Sequence, residues 1–383
     1  MQPTRIWRHF DILLLAAVAI LTIAGVAMIR SAIAGNEELA ETVPRQAIYA
    51  MIGLVVVLVT AAIDYRLWSA LSRPIYVFIL AFLAMIPIAG FVGFGAARWF
   101  SVGIVTIQPS ELAKILMILI LADYLARHKH EINQTKIVLR SLILVGLPAL
   151  LVFIQPDLST AIVLGVIWLA LIWSAGVHMK QFAVLTGFIL IVILIATPFL
   201  VRYFQVDYLQ ERNFLFLRHY QMKRLVTFFF PDAEAHFGET YNINQALISI
   251  GSGGWFGQGY GHGTQVQLRF LKVRHTDFIF SAISEEFGFI GAQIIILLFI
   301  FILVRCLRAA RMARDTYGAL ICYGVAILLL FQGAFNIGMN LNLFPVSGLP
   351  LPFLSYGGSS LLASLLGIGL VESVILRHKQ IEF

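Results

Sequence analysis

The stretch Asp11-Ile-Leu-Leu-Leu-Ala-Ala-Val-Ala-Ile-Leu-Thr-Ile-Ala-Gly-Val-Ala-Met-Ile-Arg-Ser31 carries no charged side chain between Asp11 and Arg30. It has the length of a helix crossing the hydrocarbon of a bilayer, about 20 residues. Ala32-Ile33-Ala34 behind it imitates a signal-peptidase site. A signal h-region, however, runs to only about 15 residues, so the stretch is read as a retained first span, near 11–32. Further apolar runs follow near 46–64, 72–92, 110–127, 138–155, 159–176, 181–201, 278–305, 318–340 and 354–376. None shows the strict alternation of barrel strands. The pattern predicts an all-α polytopic membrane protein of about ten transmembrane helices, one membrane domain over residues 1–383. Composition agrees, with 60% hydrophobic and 12% charged residues, where a soluble domain has roughly a quarter charged. The mean hydropathy is +0.89.

The net charge of +7 does not point to nucleic acid, because no nucleic-acid motif accompanies it. It is distributed as the positive-inside rule requires. With the N-terminus inside, the inner segments hold Arg5 and Arg8, Arg66 and Arg73, Arg127 to Arg140, Lys180, Arg305 to Arg314, and Arg377 with Lys379. The first outer loop is acidic (Glu37, Glu38, Glu41). Both termini are therefore expected in the cytoplasm. Cys306 and Cys322 then fall on the reducing side and are expected as free thiols.

Residues 202–277 form an expected large outer loop, long enough to escape the charge rule. It holds a basic-aromatic stretch, Phe214 to Phe230, with Arg218, Lys223 and Arg224, suited to a helix lying in the headgroup layer. A glycine-rich run, Gly251 to Gly263, follows.

On this topology the polar residues gather at the outer face. Arg98 and Trp99 lie in the second outer loop, and Ser110, Glu111 and Lys114 in the outer turns of the fourth span. Asp157 ends the fifth, Asp277 opens the eighth with Glu285 and Glu286 deeper, and Asn336 and Asn340 end the ninth. Ser355-Tyr-Gly-Gly-Ser-Ser360 opens the tenth. Ionisable residues in a membrane default to a functional reading, yet each has a plainer one. Glu111 and Lys114, three apart, can neutralise each other. Asp277 and Asp157 can be helix caps. Gly357 and Gly358 can serve close helix packing, and Trp99 can be an interfacial belt residue. His219, His236, His262 and His275 lack metal-ligand spacing. No phosphate-cradling loop, dinucleotide fingerprint or zinc-protease motif occurs.

Several blocks carry a resemblance. They are Gly95-Ala-Ala-Arg-Trp99, Gln108-Pro-Ser-Glu-Leu-Ala-Lys114, Gln155-Pro-Asp-Leu-Ser-Thr160, and Gly251-Ser-Gly-Gly254. His275-Thr-Asp-Phe-Ile-Phe280 with Glu285-Glu-Phe-Gly288, and Asn336-Ile-Gly-Met339 through Pro350 to Ser360, complete the series. In this order they resemble the SEDS family (shape, elongation, division and sporulation), typified by RodA and FtsW. Gly263-Thr-Gln265 and Pro-Leu-Pro-Phe353 resemble the RodA branch more.

The resemblance implies a peptidoglycan glycosyltransferase of the bacterial cytoplasmic membrane that polymerises lipid II, with a class B penicillin-binding protein as transpeptidase partner. It carries the catalytic aspartate onto Asp277, the important tryptophan onto Trp99 and the polar fourth-span cluster onto Glu111 and Lys114. Arg98, Asp157, His275 and Ser355 are further supporting candidates. The expected reaction is displacement at an anomeric carbon, with Asp277 as general base. Arg98, Lys114, Arg274 or a divalent cation (magnesium or manganese) would counter the leaving pyrophosphate. A flippase of the same lipid-linked precursor is the alternative, although transporters place their sites at the midplane between inverted repeats, which are not visible here. A non-catalytic scaffold for wall-synthesis partners is a third reading, and it predicts a dispensable Asp277. The chain departs from the family at Phe270-Leu-Lys-Val-Arg274, Ser159, Phe229-Phe-Pro231 and Ala246.

Overall fold

The computed structural model describes residues 7–89, 91–93, 96–102, 105–202, 224, 228 and 239–378. A helix stands over each apolar run. These are α1 (Ile12–Ala32), α2 (Thr42–Ala62), α4 (Ser72–Ala89), α5 (Pro109–Arg127), α6 (Thr135–Ile154), α7 (Leu158–Ser174), α8 (Met179–Arg202), α11 (Ile279–Met312), α12 (Thr316–Asn340) and α13 (Gly358–Leu376). Shorter helices are α3 (Tyr65–Ala70), α9 (Glu239–Ser252) and α10 (Thr264–Gln267). Apart from Arg224 and Phe228, the basic-aromatic stretch 214–230 lies outside the described residues.

Six of the described helices are long and apolar enough to cross a bilayer. Helix α5 is not among them, because Glu111, Lys114, Asp123 and Arg127 interrupt it. Its surroundings replace lipid. It is buried along nearly its whole length, packed by α4, α6, α7, α12 and α13. Charges inside a membrane protein survive where the bundle interior supplies partners, and α5 takes that central place. Helix α13 is equally enclosed and lies along α2. The approach is close. A Cβ on Gly358 would stand 2.3 Å from the Tyr49 ring, and one on Gly53 would stand 2.1 Å from Leu365. Gly358 thus serves helix packing, as small residues do between membrane helices.

One departure from the all-α expectation lies between α4 and α5. A small antiparallel ribbon of β1 (Phe91–Gly93), β2 (Ala96–Val102) and β3 (Val105–Ile107) pairs Phe91 with Trp99 and Phe100 with Ile107. The β-branched run Val105-Thr-Ile107 suits a pleated edge. Thr106 anchors it to the bundle, its N–H donating to the Tyr49 hydroxyl at 2.9 Å and its carbonyl accepting from Ser359 at 2.8 Å.

Helix α11 breaks at Gly288 (φ 68°, ψ −167°), a conformation open to glycine. The backbone groups released there find partners in the glycine-rich loop. Gln258 and Gly259 donate to the carbonyls of Glu285 and Glu286, each at 2.9 Å. Phe289 and Ile290 donate in turn to Gly254 (2.8 Å) and Trp255 (3.1 Å). At membrane depth every such group needs a partner inside the protein. The loop can come this close because position 257 has no side chain, since a Cβ on Gly257 would lie 2.2 Å from the Glu286 carbonyl oxygen. Glu285 accepts the N–H groups of Gln265 (2.7 Å) and Val266 (3.3 Å), while Glu286 accepts Ser31. Glu285 thus ties α10 to α11, and Glu286 ties α1 to α11. Both cysteines are buried and free.

Candidate functional site

Asp277 sits two residues ahead of α11, at the end of the bundle where α5, α7, α11 and α13 begin and α12 finishes. Its main chain is held from several directions. The Asn336 and Asn340 side-chain amides both donate to its carbonyl, at 3.1 and 3.0 Å. Asn336 also donates to Leu349 (2.8 Å), and Asn340 accepts the Ser281 N–H and hydroxyl at 3.1 and 2.6 Å. Two asparagines one helical turn apart thereby join the end of α12, the start of α11 and the loop 349–356. That loop grips the preceding residues. Ser355 donates to the Thr276 carbonyl at 2.7 Å and accepts the Leu351 N–H, and Tyr356 donates to the His275 carbonyl at 2.9 Å. Gln46 of α2 spans Ser355 and Gly357, donating to one and accepting from the other at 3.3 Å each.

The backbone at this site is strained. Val273 (φ 54°) and Phe353 (φ 69°) occupy the left-handed region that β-branched and bulky residues avoid. The Val273 carbonyl collects the Thr276 N–H and hydroxyl at 3.2 Å, which curls the chain before Asp277. Such conformations persist where surrounding contacts over-determine them, and the asparagine and serine ties do so here. Beneath lies a small apolar cluster of Ile243, Ala246, Leu271, Phe278, Met339 and Val346. Ala246, one of the departures named above, is fully enclosed in it.

Asp277 as a residue is half-buried. Burial pushes its pKa up, and the positive charge of Arg224 together with a Thr276 hydrogen bond pulls it back. The net direction is upward. Gly348 (φ 75°) separates the two charges, and a Cβ there would stand 3.3 Å from an Arg224 guanidinium nitrogen and 4.0 Å from Asp277 Oδ2. Glycine is needed for both conformation and room. Ser347 beside it accepts the Ser159 hydroxyl at 2.7 Å, which links the start of α7 to this loop. Ser159, another of those departures, thus adds a tie.

The other predicted residues separate into groups. Asp157 caps α7, accepting the Thr160 N–H (3.2 Å) and hydroxyl (2.9 Å), and it also accepts Ser110 and Gln108 at 3.3 Å. Lys114 donates to Glu111 at 2.6 Å in the dry interior of α5. Trp99 lies in the ribbon, with its backbone paired to Phe91. The Arg98 side chain is outside the described residues, as is Phe229-Phe-Pro231. The His275 ring is 6.0 Å from the Tyr356 ring. Burial and the nearby Arg274 charge push its pKa down to about 4.

The expected countercharges are corrected by this geometry. Lys114 is committed to Glu111. Arg274 is buried, with its guanidinium donating to the carbonyls of Ala32, at the end of α1, and Leu271. Such capping satisfies carbonyls that a helix end leaves open. Arg224 is the described cation facing Asp277. Among the described residues, no group of three or more His, Cys, Asp or Glu side chains gathers to hold a metal ion. Among the described residues, one carboxylate beside a guanidinium does not fit a resident divalent cation. Gln46, Tyr49, Thr106 and Gly348 escaped the sequence reading. Gln46 alone had a visible signal, a polar side chain within an apolar run.

A family model described as cell cycle protein, of the FtsW, RodA and SpoVE type, matches residues 9–380. The chain belongs to the FtsW/RodA/SpoVE family. Among its relatives, peptidoglycan glycosyltransferase MrdB of Escherichia coli K12 is 36% identical over 332 residues, 86% of this chain and 84% of MrdB. Probable peptidoglycan glycosyltransferase FtsW of Thioalkalivibrio sulfidiphilus is 34% identical, covering 97% of this chain and 90% of its own. A chain from a peptidoglycan synthase complex that coordinates polymerization and crosslinking superposes with a TM-score of 0.78 at 27% identity, over 97% of this chain and 99% of that one. The rod shape determining protein RodA of Thermus thermophilus superposes at 0.69 and 27% identity, over 98% and 99%.

Proposed function

We infer that this chain is a multi-pass membrane peptidoglycan glycosyltransferase that polymerises lipid II and acts in cell-shape elongation beside a crosslinking class B penicillin-binding protein. The observation that carries the reading is Asp277, whose backbone is tied by Asn336 and Asn340 while its carboxylate faces Arg224 across Gly348. The carboxylate accepts the proton of the acceptor sugar's 4-hydroxyl. The freed oxygen bonds to the anomeric carbon of the donor, and the bond to the prenyl pyrophosphate breaks with its electrons leaving on phosphate oxygen. A pyrophosphate leaving group needs little protonation, so one carboxylate suffices. Arg224 stands where it can offset the developing charge. The raised pKa of Asp277 makes it a stronger base than an exposed aspartate. Ser355 and His275 act through the backbone, Asp157 holds α7, and Glu111 with Lys114 supports the core. Trp99 and Arg98 belong to the ribbon that precedes α5. The distribution of lysine and arginine supports placing both termini in the cytoplasm and Asp277 at the outer face.

The test is reconstitution of the full chain with its partner and labelled lipid II, native against Asp277→Asn. Polymer from the native chain alone supports the inference. Lipid scrambling without polymer turns it toward a flippase, and equal polymer from both chains overturns the role of Asp277.

A further inference from the structure

At the end of the bundle opposite Asp277, the start of α1 and the ends of α11 and α13 enclose a cavity of about 400 Å³. That lies within the range of small-molecule sites, roughly 300–1,000 Å³. Its polar wall carries Arg305, Arg308, His9 and His378, with Asp11 as its acidic member. Arg305 is spent on Asp11, donating through Nε at 2.6 Å. Asp11 also accepts the Leu14 N–H, and its own N–H donates to the buried Glu372. Arg308, one turn nearer the end of α11, is exposed and has no carboxylate partner among the described residues. The cavity therefore holds one cation that nothing in the described structure neutralises. The His9 and His378 rings pack edge to face beside it at 5.1 Å.

The remaining wall is apolar. Ile12 and Leu13 line it and are 71% and 59% exposed, and the same face of α1 continues to Ile20 and Ile23, also exposed. Trp7, tilted against Phe10 with ring centroids 5.6 Å apart, marks the interfacial level where such rings settle. A ligand that fills this space carries an anion for Arg308 and apolar chains for α1. A soluble phosphate lacks the chains, and a zwitterionic lipid brings its own cation toward the arginines.

We propose that this cavity is a headgroup site for an anionic phospholipid, with its phosphate at Arg308 and its chains along Ile12 and Leu13. The proposed orientation enters only in assigning that lipid to the cytoplasmic leaflet, whose anionic surface attracts basic segments. In mixed micelles both ends of the protein are accessible, so this site and the orientation fail independently.

The test is native mass spectrometry of the full chain in detergent micelles containing equimolar phosphatidylglycerol and phosphatidylcholine. The native chain is expected to retain phosphatidylglycerol over phosphatidylcholine. Arg308→Gln should lower that retention about fivefold, the factor matching roughly 1 kcal/mol per cation at an anionic surface. Arg73→Gln, at an exposed arginine outside the cavity, should leave it unchanged. Thermal melting in phosphatidylcholine alone reports whether Arg308→Gln is folded. Equal retention of the two lipids, or equal losses in both variants, overturns the proposal. Displacement of the lipid by an equal concentration of glycerol phosphate also overturns it, in favour of a soluble anion.

Discussion

Asp277 and Glu111 are both carboxylates near the start of a buried helix at the same end of the bundle, and they are held in opposite ways. Asp277 is fixed by its backbone, with its carbonyl bonded to Asn336 and Asn340, and its carboxylate faces a cation across a glycine. Glu111 is fixed by its side chain, closed on Lys114 with only 7% and 1% of the two side chains exposed. A carboxylate held by its main chain keeps its oxygens for chemistry. A carboxylate held by its oxygens has already spent them. Sequence position alone does not separate the two cases, because both read as acids at a helix start.

Four experiments press on this contrast. The largest effect belongs to Asp277→Asn, which should lower polymerisation by about 10²–10⁴-fold, the usual worth of a general base, with an unchanged melting temperature. A surviving rate above a tenth of native would make the two carboxylates alike. Next comes Lys114→Met, which strands a buried carboxylate and should lower stability by about 3–5 kcal/mol. The double change Lys114→Met with Glu111→Leu should restore most of it in thermal or denaturant melts. If the single change leaves stability intact, the pair does not hold the core. Removing one tie to the Asp277 carbonyl, in Asn340→Ala, should reduce kcat by about three- to tenfold, as one lost hydrogen bond does. KM should hold, and a change in KM alone would place Asn340 in substrate binding.

The smallest effect is on pH. Activity should rise with pH as Asp277 deprotonates, along a limb lying above that of an ordinary aspartate. Arg224 lowers that pKa, so Arg224→Gln should move the limb further up. A limb that stays in place would separate Arg224 from the carboxylate. His275 supplies a control with the opposite sign. Its folded pKa, about 4, lies below the ordinary 6.5, so the unfolded chain takes up more protons between them. Stability should therefore fall as pH drops through that window, and His275→Gln should flatten this part of a melting profile.

The helical spans were legible because hydrocarbon imposes one length and one chemistry on whatever crosses it. The family was legible from the motif blocks, and Asp277 came with them. Other parts were not. The ribbon at 91–107 was missed because three short strands in a loop leave no period long enough to read. Arg274 looked like a countercharge, whereas the end of α1 needed a donor for its carbonyls and took it. Arg224 was visible as one of several basic residues in a long loop, and nothing local distinguished it from Arg218 or Lys223. Gln46 contributes from α2, more than 300 residues from the loop it bridges.

By itself the sequence determined the solvent, the number and rough extent of the helices, and which residue types gather at one end, since these follow from local composition and length. Tertiary structure decided which polar groups are used up and which stay available. A hydrogen bond or ion pair depends on which distant side chains meet, and only the packed bundle brings Arg224, Gly348 and Asp277 together while closing Lys114 upon Glu111.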